Sequence, residues 1–481
     1  MDSYDKLMEI CGFEPDEVVE YKPTLKQGLK KLLVTEKDVE FAITERLPKC
    51  WSIHLKGIRK LLGCWLREYI RIAIPEPGEA RLCHTYFVQP GMAYLHPIKL
   101  ADPTIQIGLP DVVASLVGSA FFNVGWKYVE AAEREGCAVE QITCSLNKIR
   151  YGLHVLGIVP RADVSIGFHT FCDDAPLVDQ LIREWDGTEV CNPYRVRDIH
   201  FTGDPFDEEN IKYFADSLRD GHRQLEELLD IKITPEYQAK ARELFVNLSA
   251  TIFAPMTGFM KADPVPLNAN DLAYALLPVA TAFDTGYDRI FEAEAILQAE
   301  VTQMIAEGKG VMPKGTPRIS WRLLHSWGCP WLVPMCHELG LAADFEEGFL
   351  LGGGQLMKSV EAQMEADMYM MMAKQLAMVS ALGTSLEYLY KTTTDHIAEY
   401  SIDGLIATSY RPCRCWTAHS HILAKMLSER SSIPCITPDL DIYIDRGDFP
   451  QSRMRTVLET FADVVKRSKE KKLKAASKGG N

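Results

Sequence analysis

Short apolar segments followed by helical patterns occur in two separate parts of the chain, and this alternation limits the possible fold more than any other feature. In the first part, apolar residues alternate with small or polar residues over 163–172, and a helix then begins within 173–176. In the second part, apolar segments at 318–324, 404–409 and 433–437 alternate with helical patterns. Such alternation is typical of parallel sheets that helices cover on both faces. The sequence therefore predicts an α/β fold with two doubly wound parallel-sheet domains.

The rest of the chain is mainly helical in pattern. A Pro-Glu-Pro-Gly sequence at 75–78 interrupts the first helical stretch. Another helical pattern runs over about 110–135, and Gly136 is positioned to end it. We therefore divide the chain into a helical N-terminal extension (residues 1–80), a first α/β domain (81–205), a helical insert (206–315), a second α/β domain (316–465) and a basic disordered tail (466–481).

The charge balance disfavours some classes of partner. The 52 basic and 66 acidic residues give a formal net charge of −14, which disfavours binding to nucleic acid or to an anionic membrane. The residues after Met1 include acids where a secretory signal would be basic, and no apolar run reaches about 18 residues. We therefore expect a cytoplasmic protein that binds neither nucleic acid nor membrane, with most of its 13 cysteines reduced.

Three cysteines lie where predicted elements begin or end. Cys172 closes a predicted strand, Cys413 lies just past another, and Cys144 follows the helix that ends near Gly136. Ligands collect beyond the carboxyl ends of parallel strands, where helix N-termini favour the thiolate that binds metals. However, the chain has no C-x2-C-x2-C ferredoxin run and no paired C-x2-C zinc pattern. The residues alone are therefore compatible either with a metal site or with small buried cysteines.

Several segments around these cysteines follow a recognisable order. The most specific are Asp403-Gly404-Leu405-Ile406, Tyr410-Arg411-Pro412-Cys413-Arg414, Ile433-Pro434, Asp439-Leu440-Asp441 and Gln451-Ser452-Arg453-Met454-Arg455-Thr456, and the others are Thr170-Phe171-Cys172-Asp173, residues 305–310 and residues 327–331. In these segments the chain resembles the family of ATP-dependent 2-hydroxyacyl-CoA dehydratases and benzoyl-CoA reductases, in particular the D-component of 2-hydroxyglutaryl-CoA dehydratase. The likeness spans about residues 136–466.

The resemblance implies a cofactor site. In that family, three cysteines bind a [4Fe–4S] cluster whose remaining iron stays open to another ligand, and the matching residues here are Cys144, Cys172 and Cys413. The sequence departs from the family pattern at Cys415, which lies two residues after Cys413 and is a competing ligand. The substrate-orienting residues of the family lie in its N-terminal part, where this sequence does not match closely enough to assign them.

The resemblance also implies a reaction and partners. A separate iron–sulfur ATPase, the activator, is expected to pass one low-potential electron to a heterodimer of this chain and a second homologous subunit. The CoA thioester substrate is then reduced to a ketyl radical, from which hydroxide is eliminated. Because the chain has no GxxxxGK[ST] sequence, we expect ATP to act only through the activator.

Other hypotheses stay open at this point. The same cluster and electron source would serve reduction of benzoyl-CoA, and a subunit of this fold could instead be a non-catalytic partner that relays electrons. A zinc or redox-thiol protein is a further hypothesis. The sequence assigns no catalytic acid or base. His84, His96 and His169 lie near predicted strand ends or loops, and each is either a proton-transfer group or a hydrogen-bonded structural histidine.

Overall fold

Two parallel sheets and many helices form the protein. The computed structural model describes residues 2–79, 81–86, 92–137, 143–167, 172, 174–191, 207–280, 286–322, 324–348, 350, 367–410, 413–445 and 451–478. Each sheet in these ranges has four strands, and all strand pairs are parallel. The predicted α/β fold with two parallel-sheet domains is therefore confirmed.

The first sheet has the strand order β2-β1-β3-β4. Its strands are β1 (Arg81–Thr85), β2 (Ile105–Gly108), β3 (Val164–Ile166) and β4 (Glu189–Cys191). Cys83 in the middle of β1 lies between Ile107 and Val164. Because β2 and β3 lie on opposite sides of β1, the winding of the chain reverses there. Ligand sites of open α/β sheets form at the carboxyl ends of the strands at such a reversal.

The second sheet repeats this topology with the order β6-β5-β7-β8. Its strands are β5 (Arg318–Trp321), β6 (Ala342–Glu346), β7 (Gly404–Ile406) and β8 (Cys435–Ile436). Ser320 in β5 lies between Phe345 and Leu405. The winding of the chain therefore reverses between β5 and β7, as it does between β1 and β3 in the first sheet.

Five α-helices precede the first sheet in the part of the chain that the structure describes. They are α1 (Ser3–Ile10), α2 (Pro15–Lys31), α3 (Glu36–Phe41), α4 (Leu47–Cys50) and α5 (Lys56–Arg71), with a π-helical turn (Ala42–Arg46) before α4. The apolar face of α5 is buried, and the Trp65 indole Nε1–H donates a hydrogen bond to the Tyr274 carbonyl oxygen (3.1 Å). Helix α5 is thus tied to a later part of the chain.

The helices of the first sheet domain differ in one place from those that the sequence predicts. They are α6 (Met92–Ala101), α7 (Pro110–Val113), α8 (Gly125–Arg134), α9 (Ser145–Val155) and α10 (Ala175–Asp186). The continuous helix predicted over 110–135 is instead α7, a π-helical turn (Ala114–Ser119) and α8. Asn123 between the last two has a φ of 53°, a left-handed conformation that a right-handed helix does not contain.

Every element that the structure describes between 207 and 306 is helical. These helices are α11 (Glu208–Leu229), α12 (Pro235–Leu248), α13 (Ala254–Phe259), α14 (Ala269–Ala280) and α15 (Tyr287–Ala306), with a π-helical turn (Ser249–Phe253) before α13. A Cβ atom on Gly57 in α5 would lie 2.5 Å from the Leu297 backbone in α15, so the two helices touch where only glycine fits. The N-terminal and middle helices share one apolar core.

The helices of the second sheet domain extend further than the sequence pattern indicates. They are α16 (Leu332–Glu338), α17 (Met368–Thr384), α18 (Leu386–Tyr400), α19 (Arg414–Arg430) and α20 (Gln451–Lys478). A disordered tail was expected from Lys466, whereas α20 continues through Lys478. The Lys466 Nζ atom donates to the Leu339 carbonyl oxygen (2.7 Å), and Lys469 pairs with Asp403 (2.8 Å), so the second sheet domain supports the start of this segment.

No helix in the described ranges is both long and apolar enough to cross a membrane.

A buried carboxyl group in α15 makes stability depend on pH. The Glu294 side chain is 1% exposed, and no described donor makes a well-oriented hydrogen bond to either of its oxygens. Burial raises the pKa of Glu294 well above its usual value, and the nearby Gln298 amide opposes this only in part. Above the unfolded-state pKa, ionisation therefore favours the unfolded chain, and stability is lost as the pH rises.

We expect Glu294→Gln to stabilise the protein at pH 8 and to have little effect near pH 4. The gain should grow by up to about 1.4 kcal/mol per pH unit above the unfolded pKa, because glutamine has no charge to bury. Thermal unfolding at several pH values measures it. Glu243→Gln, at an exposed position on α12, is the control and should show no such trend. Equal pH dependence in the two variants would contradict the argument.

Candidate metal centre

Two of the predicted cysteines cap helices directly. Cys144 is the N-cap residue of α9, and its Sγ atom accepts a hydrogen bond from the Asn147 backbone N–H (3.4 Å). Cys413 is the N-cap residue of α19, and its Sγ atom accepts from the Trp416 backbone N–H (3.4 Å). The first amides of a helix have no partner within the helix, so in both cases a thiol sulfur satisfies one of them.

Cys172 lies beside Cys144. It follows β3, and its Sγ atom accepts a hydrogen bond from the backbone N–H of Ala175, the first residue of α10 (3.3 Å). The side-chain Nδ2 atom of Asn147 lies 4.0 Å from the Cys172 Sγ atom, while the backbone nitrogen of the same residue serves Cys144. Asn147 is therefore in contact with both sulfur atoms.

The two sheets contribute cysteines from equivalent positions. Cys172 follows β3 and Cys413 follows β7, and each of these strands is the third along the chain in its sheet and adjoins the first. All three thiols are half-buried, and all three lie close enough to the buried Tyr443 hydroxyl to influence its pKa if they ionise. The structure thus brings Cys144, Cys172 and Cys413 together at the carboxyl ends of both sheets.

The surroundings of Cys144 and Cys172 favour the protonated thiols in the absence of a cation. Burial raises the pKa of Cys144 well above its usual value, and the neighbouring Cys172 thiol and Asp174 carboxylate raise it further. Burial also raises the pKa of Cys172, although the backbone N–H of Ala175 opposes the shift. A bound metal displaces the protons of such thiols, because its positive charge replaces theirs.

Asp174 joins the segments that carry Cys144 and Cys172. Its Oδ2 atom accepts hydrogen bonds from the Cys144 backbone N–H (3.0 Å) and from the Asn147 side-chain amide (2.7 Å). Since Asp174 lies two residues after Cys172, the loop that carries Cys172 is fastened directly to the start of α9. The relative position of these two sulfur atoms is therefore set by protein hydrogen bonds.

Residues of the second sheet domain hold the same helix end. The Ser145 backbone N–H donates to the Tyr410 hydroxyl oxygen (2.9 Å), and the Ser145 hydroxyl donates to the Asp441 Oδ2 atom. Tyr410 follows β7 and Asp441 follows β8. The start of α9, at Cys144, is thereby connected to the loops around Cys413.

A buried ion-pair group fixes α9 further along its length. The Arg150 guanidinium is 1% exposed and pairs with Asp179 on α10 (2.6 Å) and with Asp111 on α7 (3.4 Å). It also lies over the Tyr86 ring at 4.1 Å from the centroid. Burial alone would lower the pKa of Arg150, but the two carboxylates more than offset this effect, so the group is charged. Arg150 therefore locks the helices that begin near Cys144 and Cys172 to each other.

The set of donor atoms fits an iron–sulfur cluster. Thiolates are soft ligands that select iron–sulfur clusters, zinc or Cu(I), and cysteines hold most [4Fe–4S] clusters. In the described part of the chain, no three His, Cys, Asp or Glu side chains converge on a point that could hold a single metal ion. Cysteines of a four-iron cluster bind different irons and need not converge in that way. Cys144, Cys172 and Cys413 are the residues that would hold it.

The other candidate residues lie elsewhere or outside the described ranges. Burial lowers the pKa of His84 to about 3, and its ring lies 6.1 Å from that of His154, so it is a neutral histidine inside the first sheet domain. His96 on α6 packs against Tyr287, with ring centroids 6.1 Å apart. His169 lies outside the described residues. Cys415 is in the first turn of α19, and its side chain lies outside them too.

Sequence reasoning missed the polar residues that support the cysteines. Asn147 and Asp174 could have been found, because each lies within three residues of a predicted cysteine at a helix start, where Asn and Asp commonly bond free amides. Tyr410 and Asp441 stand in segments that carried the family resemblance, but their contacts with Ser145 span 265 and 296 positions. No local pattern signals such contacts.

The sequence matches a known protein family. The family model for the 2-hydroxyglutaryl-CoA dehydratase D-component matches residues 111–465, which is roughly three quarters of the 481 residues. No curated protein matches the sequence significantly. The matched segment contains all three cysteines, the helices whose first amides they bind and the whole of the second sheet. The chain therefore belongs to the 2-hydroxyglutaryl-CoA dehydratase D-component family.

Proposed function

We propose that this chain is the cluster-binding subunit of an ATP-activated, oxygen-sensitive 2-hydroxyacyl-CoA dehydratase. The observation that carries the proposal is the grouping of Cys144, Cys172 and Cys413, each at a helix N-terminus and all within the family match. Three protein ligands on a [4Fe–4S] cluster leave one iron open to another ligand. We also propose that the protein works in the cytoplasm, since a reducing compartment suits its many free cysteines.

The residues of the chain would hold the cluster in a setting suited to reducing chemistry. When bound, a [4Fe–4S] cluster supplies a low-potential electron and an open iron that can polarise a thioester carbonyl. The helix N-termini at Cys144 and Cys413 direct partial positive charge at the sulfur atoms, which stabilises their thiolate form. Half-burial of all three sulfur atoms limits their contact with water and oxygen.

The proposed reaction makes a very weakly acidic C–H group acidic enough to lose its proton. Dehydration of a 2-hydroxyacyl-CoA requires loss of a proton from C3, which is too weakly acidic for an ordinary base. One electron added to the thioester carbonyl forms a ketyl radical, and hydroxide then leaves from C2. Loss of a C3 proton to a base and return of the electron give the 2-enoyl-CoA. Dehydration therefore forms water and consumes no net reductant.

The electron is proposed to come from a separate protein. The sequence lacks the phosphate-binding loop of ATPases, so an iron–sulfur ATPase activator would couple ATP hydrolysis to electron transfer. A second homologous subunit would complete the heterodimer. The family match is to a dehydratase component, and this favours dehydration over reduction of an aromatic acyl-CoA.

The test is a count of product per electron supplied. With its partner subunit, reduced activator, ATP and magnesium, the protein should convert 2-hydroxyglutaryl-CoA or a related 2-hydroxyacyl-CoA to the 2-enoyl-CoA, with many products formed per electron. Mixtures that lack the activator or ATP are the controls and should be inactive. Reduction of benzoyl-CoA with stoichiometric use of reductant would identify a ring reductase. Turnover without activator or ATP would contradict electron injection.

A non-catalytic relay subunit would give a different result. Such a subunit would bind a cluster, but adding an acyl-CoA to it would cause no change in the cluster spectrum. A substrate-induced change in the electron paramagnetic resonance (EPR) spectrum is therefore expected of the isolated, reduced protein if its open iron binds the thioester.

A further inference from the structure

The first residue of α9 is a junction between the two sheet domains. Ser145 directly follows Cys144, and both its backbone N–H and its hydroxyl donate to residues of the second sheet domain, namely Tyr410 and Asp441. Ser145 and Tyr410 are buried, so these hydrogen bonds lie away from bulk water. We call Ser145, Tyr410 and Asp441 the domain latch.

Tyr410 also positions the third cysteine. Its carbonyl oxygen accepts hydrogen bonds from the Cys413 backbone N–H (2.9 Å) and from the Thr417 hydroxyl (2.6 Å). Its hydroxyl oxygen accepts from Ser145, next to Cys144. One residue therefore contacts the chain at both cysteines, and its rigid ring sets the spacing between the two helix ends.

Asp441 is itself held in place. Its Oδ1 atom accepts from the Tyr443 backbone N–H (2.9 Å), and its carbonyl oxygen accepts from the Ser326 hydroxyl (3.2 Å). The Tyr443 ring packs edge-on against Tyr410, with centroids 5.4 Å apart. The two second-domain members of the latch thus support each other, and the carboxylate that binds Ser145 has little freedom to move.

We propose that Tyr410 and Asp441 are positioning residues that set the distance between Cys413 and the Cys144–Cys172 pair, and that this cradle of thiols is formed before iron enters. The proposal rests on the proposed function for the identity of the cofactor, but the preformed cradle can be observed without it. Groups that orient the ligands of a metal change its affinity about 10–100-fold when they are removed.

The latch is only one of the links between the two halves of the molecule. Arg46 in the N-terminal helical segment pairs with Asp445 (3.1 Å), and the Ser115 hydroxyl donates to the Tyr443 carbonyl oxygen (3.1 Å). These contacts do not involve the side chains of Tyr410 or Asp441. Loss of the latch should therefore leave the domains docked while the sulfur atoms shift.

The experiment compares latch variants with matched buried controls. Tyr410→Phe removes only the acceptor for Ser145, and Asp441→Asn replaces the carboxylate by an amide of the same shape. Tyr94→Phe is the first control, since the buried Tyr94 hydroxyl donates to the Leu218 carbonyl oxygen (3.2 Å) on another helix. Asp271→Asn is the second, because buried Asp271 accepts from the Ser52 hydroxyl (2.6 Å) and backbone N–H (2.9 Å).

Two readouts are taken on each anaerobic sample. In the iron-loaded protein, the latch variants should lose iron to a chelator about tenfold faster than the parent and show altered EPR spectra and midpoint potentials. In the iron-free protein, a short reagent that links two thiols should join Cys144 or Cys172 to Cys413 in the parent, and much less in the latch variants. The controls should match the parent in both readouts.

The outcomes separate this proposal from the proposed function. If the parent binds no cluster, the proposed function fails, but latch-dependent cross-linking of the thiols would still support the positioning role. If the latch variants match the parent in cross-linking, the positioning role is wrong. If the latch variants and the controls change equally, the residues stabilise the fold without positioning the cysteines, and the proposal is likewise overturned.

Discussion

Serine in place of any one of Cys144, Cys172 or Cys413 is expected to abolish both cluster binding and dehydratase activity. Each thiol is at the N-terminus of a different helix, so each of the three ligand positions depends on a different element of the fold. Serine keeps the size and the capping hydrogen bond but supplies a hard oxygen that soft iron–sulfur chemistry disfavours. The folded apoprotein should therefore survive while the cofactor is lost.

Iron and sulfide analysis of anaerobically purified protein measures the cluster content of the parent and of each serine variant. The parent should contain about four irons per chain and lose them in air, whereas the three serine variants should contain almost none. Cys336→Ser is the control, because Cys336 is buried in the separate apolar core of the second sheet domain. Stoichiometric zinc without sulfide in the parent would contradict the cluster assignment.

A comparison of Cys415→Ser with Cys413→Ser tests which of the two cysteines at the start of α19 is the third ligand. Cys415 lies in the first turn of α19. Cys413 is the N-cap residue of this helix and ends the loop that follows β7. We expect Cys415→Ser to keep the cluster and Cys413→Ser to lose it. The opposite result would assign the third ligand to Cys415.

The second large effect is expected from Arg150→Met. Methionine has a similar length but no charge, so the variant leaves the carboxylates of Asp179 and Asp111 buried without their cation. Breaking a buried ion pair from one side typically costs about 3–5 kcal/mol, because the remaining charge has lost both water and partner. Denaturant unfolding of the iron-free protein measures the loss.

The Arg150 prediction has two controls. Arg161→Met removes an exposed arginine that donates to the Gly187 carbonyl oxygen and should change stability little. The triple variant Arg150→Met, Asp111→Asn, Asp179→Asn removes all three charges and should recover part of the lost stability, because no unpaired charge stays buried. If the triple variant were the least stable, packing rather than charge would explain the role of Arg150.

The sequence allowed the fold and the position of the cysteines to be predicted. Alternating strand and helix patterns are local, and a cysteine shortly after an apolar strand, such as Cys172 or Cys413, marks the edge where parallel sheets bind ligands. Cys144 was also identified correctly as the start of a new element, and α9 begins at the next residue. Each of these features can be predicted from residues that are close together in the sequence.

The hydrogen bonds that support the cysteines can be identified only in the folded structure. Nothing near Ser145 indicates that its partners are Tyr410 and Asp441, since both come from the other sheet domain. The same applies to His154, whose ring nitrogens contact the Tyr86 hydroxyl (2.8 Å) and Asp186 (2.7 Å). The roles of buried polar groups depend on partners brought close by packing, and a sequence pattern records only neighbours along the chain.

The division of the three cysteines between two sheets has a consequence for biosynthesis. A ribosome makes Cys144 and Cys172 long before Cys413, which lies 241 residues after Cys172. The complete set of thiols therefore does not exist until the second sheet has been synthesised and has docked on the first. A truncated or half-folded chain presents at most two of the three sulfur atoms. Completion of the site thus requires that both sheets have been made and have docked.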